Sequence, residues 1–183
     1  MEALQAIHSR RSIRVYRPDP VDRDVLARVL WAAVQAPTPP VSGRSAWKLC
    51  VIEGADRLDA FGERARQYAF DHQPPDHPWT WTTRPGFKVF WNAPAVVLFC
   101  ARVNHPEAPF DCCRAAQNML IAAHAEGLGT CWVGAPMPWL GSPGVAQELG
   151  LPDGYAASAA VLVGYPDEAP AGEPRPQPEI RWL

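Results

Sequence analysis

Two uncharged, predominantly apolar runs constrain this chain more than any other feature. Residues 95–101 read AVVLFCA and residues 155–163 read YAASAAVLV, with no charge in either. A strand with one face in water alternates polar and apolar residues. A strand that is apolar throughout has to be covered on both faces. The sequence therefore calls for helices above and below a sheet, and the flanking segments supply helical patterns.

Residues 2–9 place Leu4, Ile7 and His8 on one face of a short helix. Asp22 is an N-cap candidate for the next one, where Leu26, Val29, Leu30, Ala33 and Val34 follow a 3.6-residue period until Pro37. Residues 56–70 are helical in pattern. Residues 110–126 are the strongest helix, rich in alanine, with Gly127 as its C-cap candidate. Residues 145–149 form a further short helix, and 47–52 and 130–133 read as strands. The expected fold class is α+β in three layers: a mixed, mostly antiparallel sheet between helices. No linker or repeat divides the chain, so 1–183 is expected to be a single domain.

Proline makes up 21 of 183 residues. Helix and sheet interiors reject it, so three Pro-rich stretches are expected outside regular structure. They are the loop PTPPVSGR at 37–44, the segment DHQPPDHPWTWTTRPG at 71–86, and an extended arm at 166–183.

Several functions are disfavoured. Seventeen basic against nineteen acidic residues leave a net charge of -2, unlike a general nucleic-acid binder. No apolar run reaches the ~18 residues of a membrane-spanning helix. The first residues lack the apolar segment of a secretory signal. Five cysteines, odd in number and without CxxC spacing, suit reduced thiols and a cytoplasmic location. No His/Cys pair has metal-ligand spacing, and a site built from His72 and His77 with Asp71 and Asp76 is not expected.

Four segments could carry chemistry. In RRSIRVYR at 10–17, Arg10, Arg11, Ser12 and Arg14 crowd donors into five residues. Guanidinium forks match phosphate oxygens in pairs, although a charge run is also compatible with a solvated face. The loop at 36–47 would expose backbone groups to a planar polar ligand or serve as a connector. Gly127, Gly129 and Gly134 follow a helix rather than open one, so they are no dinucleotide fingerprint. Arg175 sits in the Pro-rich arm and could fold back as a phosphate donor. With no GxSxG, Walker loop or HExxH, the chemistry is expected on a bound cofactor.

In chain order these segments resemble the nitroreductase family, the flavin mononucleotide (FMN)-dependent oxidoreductases. RRSIRVY at 10–16 is similar to the family's RRSxRxF/Y motif, and APT…W at 36–47 to its APS…NxQPW segment. NAPAVVLFCA at 92–101 resembles its AP-plus-apolar strand, and DCCRAAQNMLIAAHAEGLGTCWVG at 111–134 its central helix and GLGTCWxG exit. LGLPDGYAASAAVLVGYPDE at 149–168 and PRPQPEIRW at 174–182 are similar to its last two motifs.

The resemblance implies an intertwined homodimer with FMN at the interface and the helix at 111–126 in the dimer core. It implies that Arg10, Arg11, Ser12, Arg14 and Arg175 hold FMN, and that Arg11 or Arg14 stabilises the reduced flavin. Pro37 and Thr38 would reach the flavin of the other subunit. The backbone of Trp132, Val133 and Gly134 would pass near its rings. NADH or NADPH would donate hydride to flavin N5 and leave before a small-molecule oxidant (a nitroaromatic, quinone or similar conjugated acceptor) enters. A specialised flavin reaction (dehalogenation, desaturation or flavin breakdown) and non-catalytic flavin binding are the alternatives. Trp79 and Trp81, in the segment that would cover the site, are candidates for stacking on an aromatic substrate or for packing on the surface.

The sequence departs from the family pattern where Gly43 or Arg44 replaces Asn and Ser45-Ala46 replaces QP, in a slightly longer loop. By the resemblance, a side-chain contact to the flavin is either missing here or replaced by Ser42 or Arg44. Glu173 stands where a Lys is usual, which weakens the clamp.

Overall fold

The computed structural model describes residues 1–38, 46–76, 78–172 and 175–183. The two apolar runs become the inner strands of a four-stranded sheet. In chain order the strands are β1 (Trp47–Glu53), β2 (Ala95–Arg102), β3 (Gly129–Val133) and β4 (Tyr155–Gly164). Their spatial order is β1-β2-β4-β3, and every ladder is antiparallel.

Alternation along the inner strands divides the core into two. Ala95, Val97, Phe99 and Ala101 of β2 share one cluster with Ala159, Val161 and Val163 of β4. Val96, Leu98 and Cys100 share the other with Ala160 and Leu162. This is the physical reason the runs contain no charged residues: each side chain has a helical layer to face, whichever way it points. A register shift at Phe99/Cys100 lets β4 accommodate one extra residue.

Helices α1 (Ala3–Ser9), α2 (Arg23–Ala33) and α4 (Ala108–Ala125) lie on the first side. Helices α3 (Ala55–His72), α5 (Met137–Leu140) and α6 (Val145–Glu148) cover the second. The Asp22 carboxylate caps α2 by accepting from the N–H groups of Asp24 and Val25. The α4 helix starts at Ala108, earlier than its apolar pattern suggests. Pro109 is tolerated there because first-turn N–H groups have no partner within the helix. Ala115, Ala116 and Ala123 face inward, so their small size brings α4 close to its own sheet and to α2. The segment after Phe70 is less irregular than expected: α3 continues to His72, and a 3₁₀ turn forms at Thr80–Thr82. No helix among the described residues is long and apolar enough to cross a membrane.

Candidate functional site

The arginine-rich segment is stitched to the sheet. Ile13 N–H donates to Thr130 O at 2.9 Å, and Ser12 forms a parallel bridge with Thr130 at the outer edge of β3. Further along, Arg17 N–H donates to Tyr165 O at 2.9 Å and Asp167 N–H donates to Val15 O at 3.0 Å. Ile13 and Tyr16 are buried anchors, and the Tyr16 hydroxyl donates to Ile13 O at 2.6 Å. Two glycines make the approach possible. A Cβ on Gly129 would lie 2.9 Å from three Ile13 carbons, and one on Gly164 would lie 2.6 Å from Pro94 Cδ. With Ile13 and Tyr16 turned inward, the segment holds Arg10 and Arg11 partly buried, while Arg14 and Arg17 stay exposed.

Arg10, Arg11, Ser12, Arg14 and Arg175 line a single cleft of about 390 Å³, together with Pro170, Ala171 and Pro176. A second cleft of about 540 Å³ shares Arg10, Arg11 and Arg175. Burial, then the Arg175 charge, then Arg11 hold the Arg10 guanidinium below its ordinary pKa. Arg11 Nη1 donates to the carbonyls of His8 and Arg10, each at 2.8 Å. Among the described residues no carboxylate forms an ion pair with Arg10, Arg11, Arg14 or Arg175, whereas Arg23, Arg28, Arg64, Arg66 and Arg114 each have one. The nearby Glu168 carboxylate is turned to backbone, accepting from Arg14 N–H at 2.5 Å and Val15 N–H at 3.1 Å. The arm crosses so near that a Cβ on Gly172 would overlap the Arg11 guanidinium. Such a like-charged group favours an anion with several oxygens.

The other sequence candidates fall in three places. Trp132, Val133 and Gly134 lie at the end of β3: Trp132 is 40 % exposed, Val133 is buried, and a Cβ on Gly134 would meet nothing within 4 Å. Pro37 and Thr38 are exposed beyond α2 and do not line the arginine cleft of their own chain. Trp79 and Trp81 stack on each other, with ring centroids 6.3 Å apart. The series continues through Phe87 at 5.4 Å to Trp91 at 5.3 Å, and the Arg14 guanidinium sits 5.8 Å from the Trp91 ring centroid. Ser42, Gly43, Arg44, Ser45, His77 and Glu173 lie outside the described residues. Ala46 is buried, and its carbonyl accepts from Arg102 N–H.

Three residues at the site escaped the sequence reading. Trp91 and its neighbour Asn92 take left-handed φ values of 53° and 54°, uncommon for residues other than glycine. Glu168 holds the segment's backbone. Cys131 hydrogen-bonds with Ser12; burial pushes its thiol pKa up, while Arg14 opposes that rise. Only the GYPDE motif could have pointed to Glu168; Trp91 and Cys131 are brought in by tertiary contacts. His124 shares a 2.7 Å hydrogen bond with Ser9 Oγ, and its pKa is lowered by burial, then by Arg10 and Arg11.

A protein of Archaeoglobus fulgidus with the provisional name NADH dehydrogenase/NAD(P)H nitroreductase is 26 % identical over 172 residues, 91 % of this chain and 87 % of its own. The fold matches a crystal structure of a nitroreductase with bound FMN from Bacteroides fragilis, with a TM-score of 0.83 and 24 % identity over 97 % of this chain and 95 % of that one. An FMN-bound nitroreductase from Desulfitobacterium hafniense gives a TM-score of 0.81 and 22 % identity over 100 % and 99 % of the chains. The sequence pattern of the nitroreductase family matches residues 7–165, and the chain belongs to that family.

Proposed function

We propose that this protein is an FMN-dependent oxidoreductase that takes hydride from NADH or NADPH and delivers it to a nitroaromatic, a quinone or a similar conjugated acceptor. The observation that carries this reading is the convergence of Arg10, Arg11, Arg14 and Arg175 on one cleft without a carboxylate partner. A phosphate monoester fits this donor set: it brings the missing negative charge and accepts paired N–H donors. The Ser12 hydroxyl adds a further donor.

FMN, when bound, supplies a hydride-accepting and hydride-donating N5. The chain's own groups bind and tune it. Arg10 and Arg175 clamp the phosphate. Arg11 or Arg14 would supply the cation that favours the reduced, anionic ring. The backbone of Trp132, Val133 and Gly134 would border the ring system. Trp79 and Trp81 form the outer end of an aromatic wall that reaches Arg14 through Trp91, and they bind the aromatic acceptor. These assignments draw support from the cleft geometry, the family membership and the FMN-bound relatives.

The working unit of this proposal is a homodimer. Leu4 and Ile7 of α1, Trp31 of α2, Phe110 of α4 and Trp182 of the arm are large apolar side chains left in water; Leu4 is 70 % and Trp182 is 87 % exposed. A second copy would cover them and bring its Pro37 and Thr38 to this chain's cleft. The test is direct. The purified protein is yellow with a flavin spectrum, runs as a dimer, and bleaches when NADH or NADPH is added without oxygen. A protein that stays colourless after reconstitution with FMN overturns the proposal.

A further inference from the structure

A second chemically distinct group lies on β1 and β2, outside the arginine cleft. The register places Lys48 opposite Cys100 and Cys50 opposite Leu98. Alternation turns Lys48, Cys50 and Ile52 to the same side, where Ile52, Leu98 and Cys100 belong to one core cluster and Cys50 packs at its margin. Cys50 and Cys100 are thus diagonal neighbours on one face of the sheet. Cys100 is fully buried, while Cys50 is half-buried.

The electrostatics of the pair favour Cys100 as the protonated partner and Cys50 as the acceptor. The Cys50 hydrogen bond and burial push Cys100 up. The Cys100 hydrogen bond, with a smaller contribution from the Lys48 charge, brings Cys50 down to about 7 against the opposing effect of burial. The other acceptor near Cys100 Sγ, Leu98 O, is 3.9 Å away. The Lys48 ammonium sits 4.8 Å from the centroid of the Tyr155 ring on β4. Several charges of α3, which packs over this face, are engaged elsewhere. Asp59 pairs with Lys88, Glu63 with Arg66 and Arg64 with Glu148, while the Arg57 guanidinium lies over Phe61.

An inert core thiol describes Cys100 but not Cys50, which combines access, a neighbouring cation and a thiol donor. We propose that Cys50 is a modification site for low-molecular-weight disulfides, with Cys100 as the positioning residue that donates to its thiolate. The Cys50 thiolate attacks one sulfur of the small disulfide. The old S–S bond breaks, a new one forms to Cys50, and the electron pair leaves on the released thiolate. No other oxidant is needed. Diagonal strand neighbours have Cα atoms about 7–8 Å apart, beyond the ~4.4–6.8 Å a disulfide spans. Cys100 therefore does not displace the adduct, and the mixed disulfide persists.

The experiment treats the full-length protein with glutathione disulfide from about pH 5 to about pH 9, with peptide mapping by mass spectrometry. The expected product carries one glutathionyl group on Cys50, with Cys100 still a thiol and a rate that inflects near pH 7. Cys100→Ala moves the inflection up toward the ordinary ~8.5 and slows the reaction at neutral pH about tenfold. Cys100→Ser, which retains a donor, returns it toward the native value. Lys48→Met, at an exposed position, gives a smaller shift of the same sign and serves if the buried variants do not fold. Modification of the exposed Cys113 in place of Cys50 would overturn the proposal. So would an inflection that moves in neither the Cys100→Ala nor the Lys48→Met protein.

Discussion

Replacing Arg10 with alanine separates phosphate recognition from fold stability. The Arg10 guanidinium is partly buried and faces Arg175 and Arg11 with no carboxylate between them. Without a ligand, its removal relieves repulsion, so the flavin-free variant melts no lower than the parent. With FMN, the variant loses charge-assisted hydrogen bonds to phosphate, worth about 1.5–3 kcal/mol. That corresponds to a Kd about 10- to 100-fold weaker. At an FMN concentration 100 times the parent's Kd, ligation stabilises the native state by about 2.7 kcal/mol; with Kd raised 100-fold the same concentration supplies about 0.4 kcal/mol. The assay is a pair of flavin fluorescence titrations, one with FMN and one with riboflavin, together with melting curves with and without FMN. Riboflavin lacks the phosphate, so its affinity should barely change. If both flavins weaken equally, or neither does, Arg10 does not contact the phosphate and the reasoning fails.

Other perturbations probe the remaining links. Phe99→Ala empties a fully buried site between the sheet and its helices and should cost about 3–5 kcal/mol in urea unfolding; a loss under 1 kcal/mol would contradict the two-sided core. Gly129→Ala forces a Cβ against Ile13 and should destabilise the protein by about 1–3 kcal/mol while weakening FMN retention; calorimetry and the flavin-to-protein absorbance ratio report both. His124 has a folded pKa below its unfolded value near 6.5. The unfolded chain therefore takes up the proton first, and stability falls as pH drops below about 6.5 and on through the folded pKa. In the flavin-free protein, His124→Gln should show a smaller melting-temperature difference between neutral and mildly acidic buffer; an unchanged difference would remove His124 from the acid response. Trp79→Ala should raise KM for a nitroaromatic while leaving FMN affinity intact, and equal KM values would assign Trp79 to packing alone.

Sequence alone determined the layered fold. The runs at 95–101 and 155–163 are apolar on both faces, which suffices to demand a covered sheet. The period of α2 and the small residues of α4 identify two of the covering helices. These are local, periodic signals, and they survive into the structure because burial acts on every residue of the pattern. The RRSIRVY motif likewise announced a donor cluster, but not its state: a solvated run and an anchored one have the same composition. That distinction came from Ile13 and Tyr16 packing where Gly129 and Gly164 leave room, contacts that join residues more than a hundred positions apart. Long-range packing alone also brought Trp91 beneath Arg14 and Cys50 diagonal to Cys100. Strand register and chain crossing set these pairings, and neither leaves a periodic trace in the neighbouring sequence.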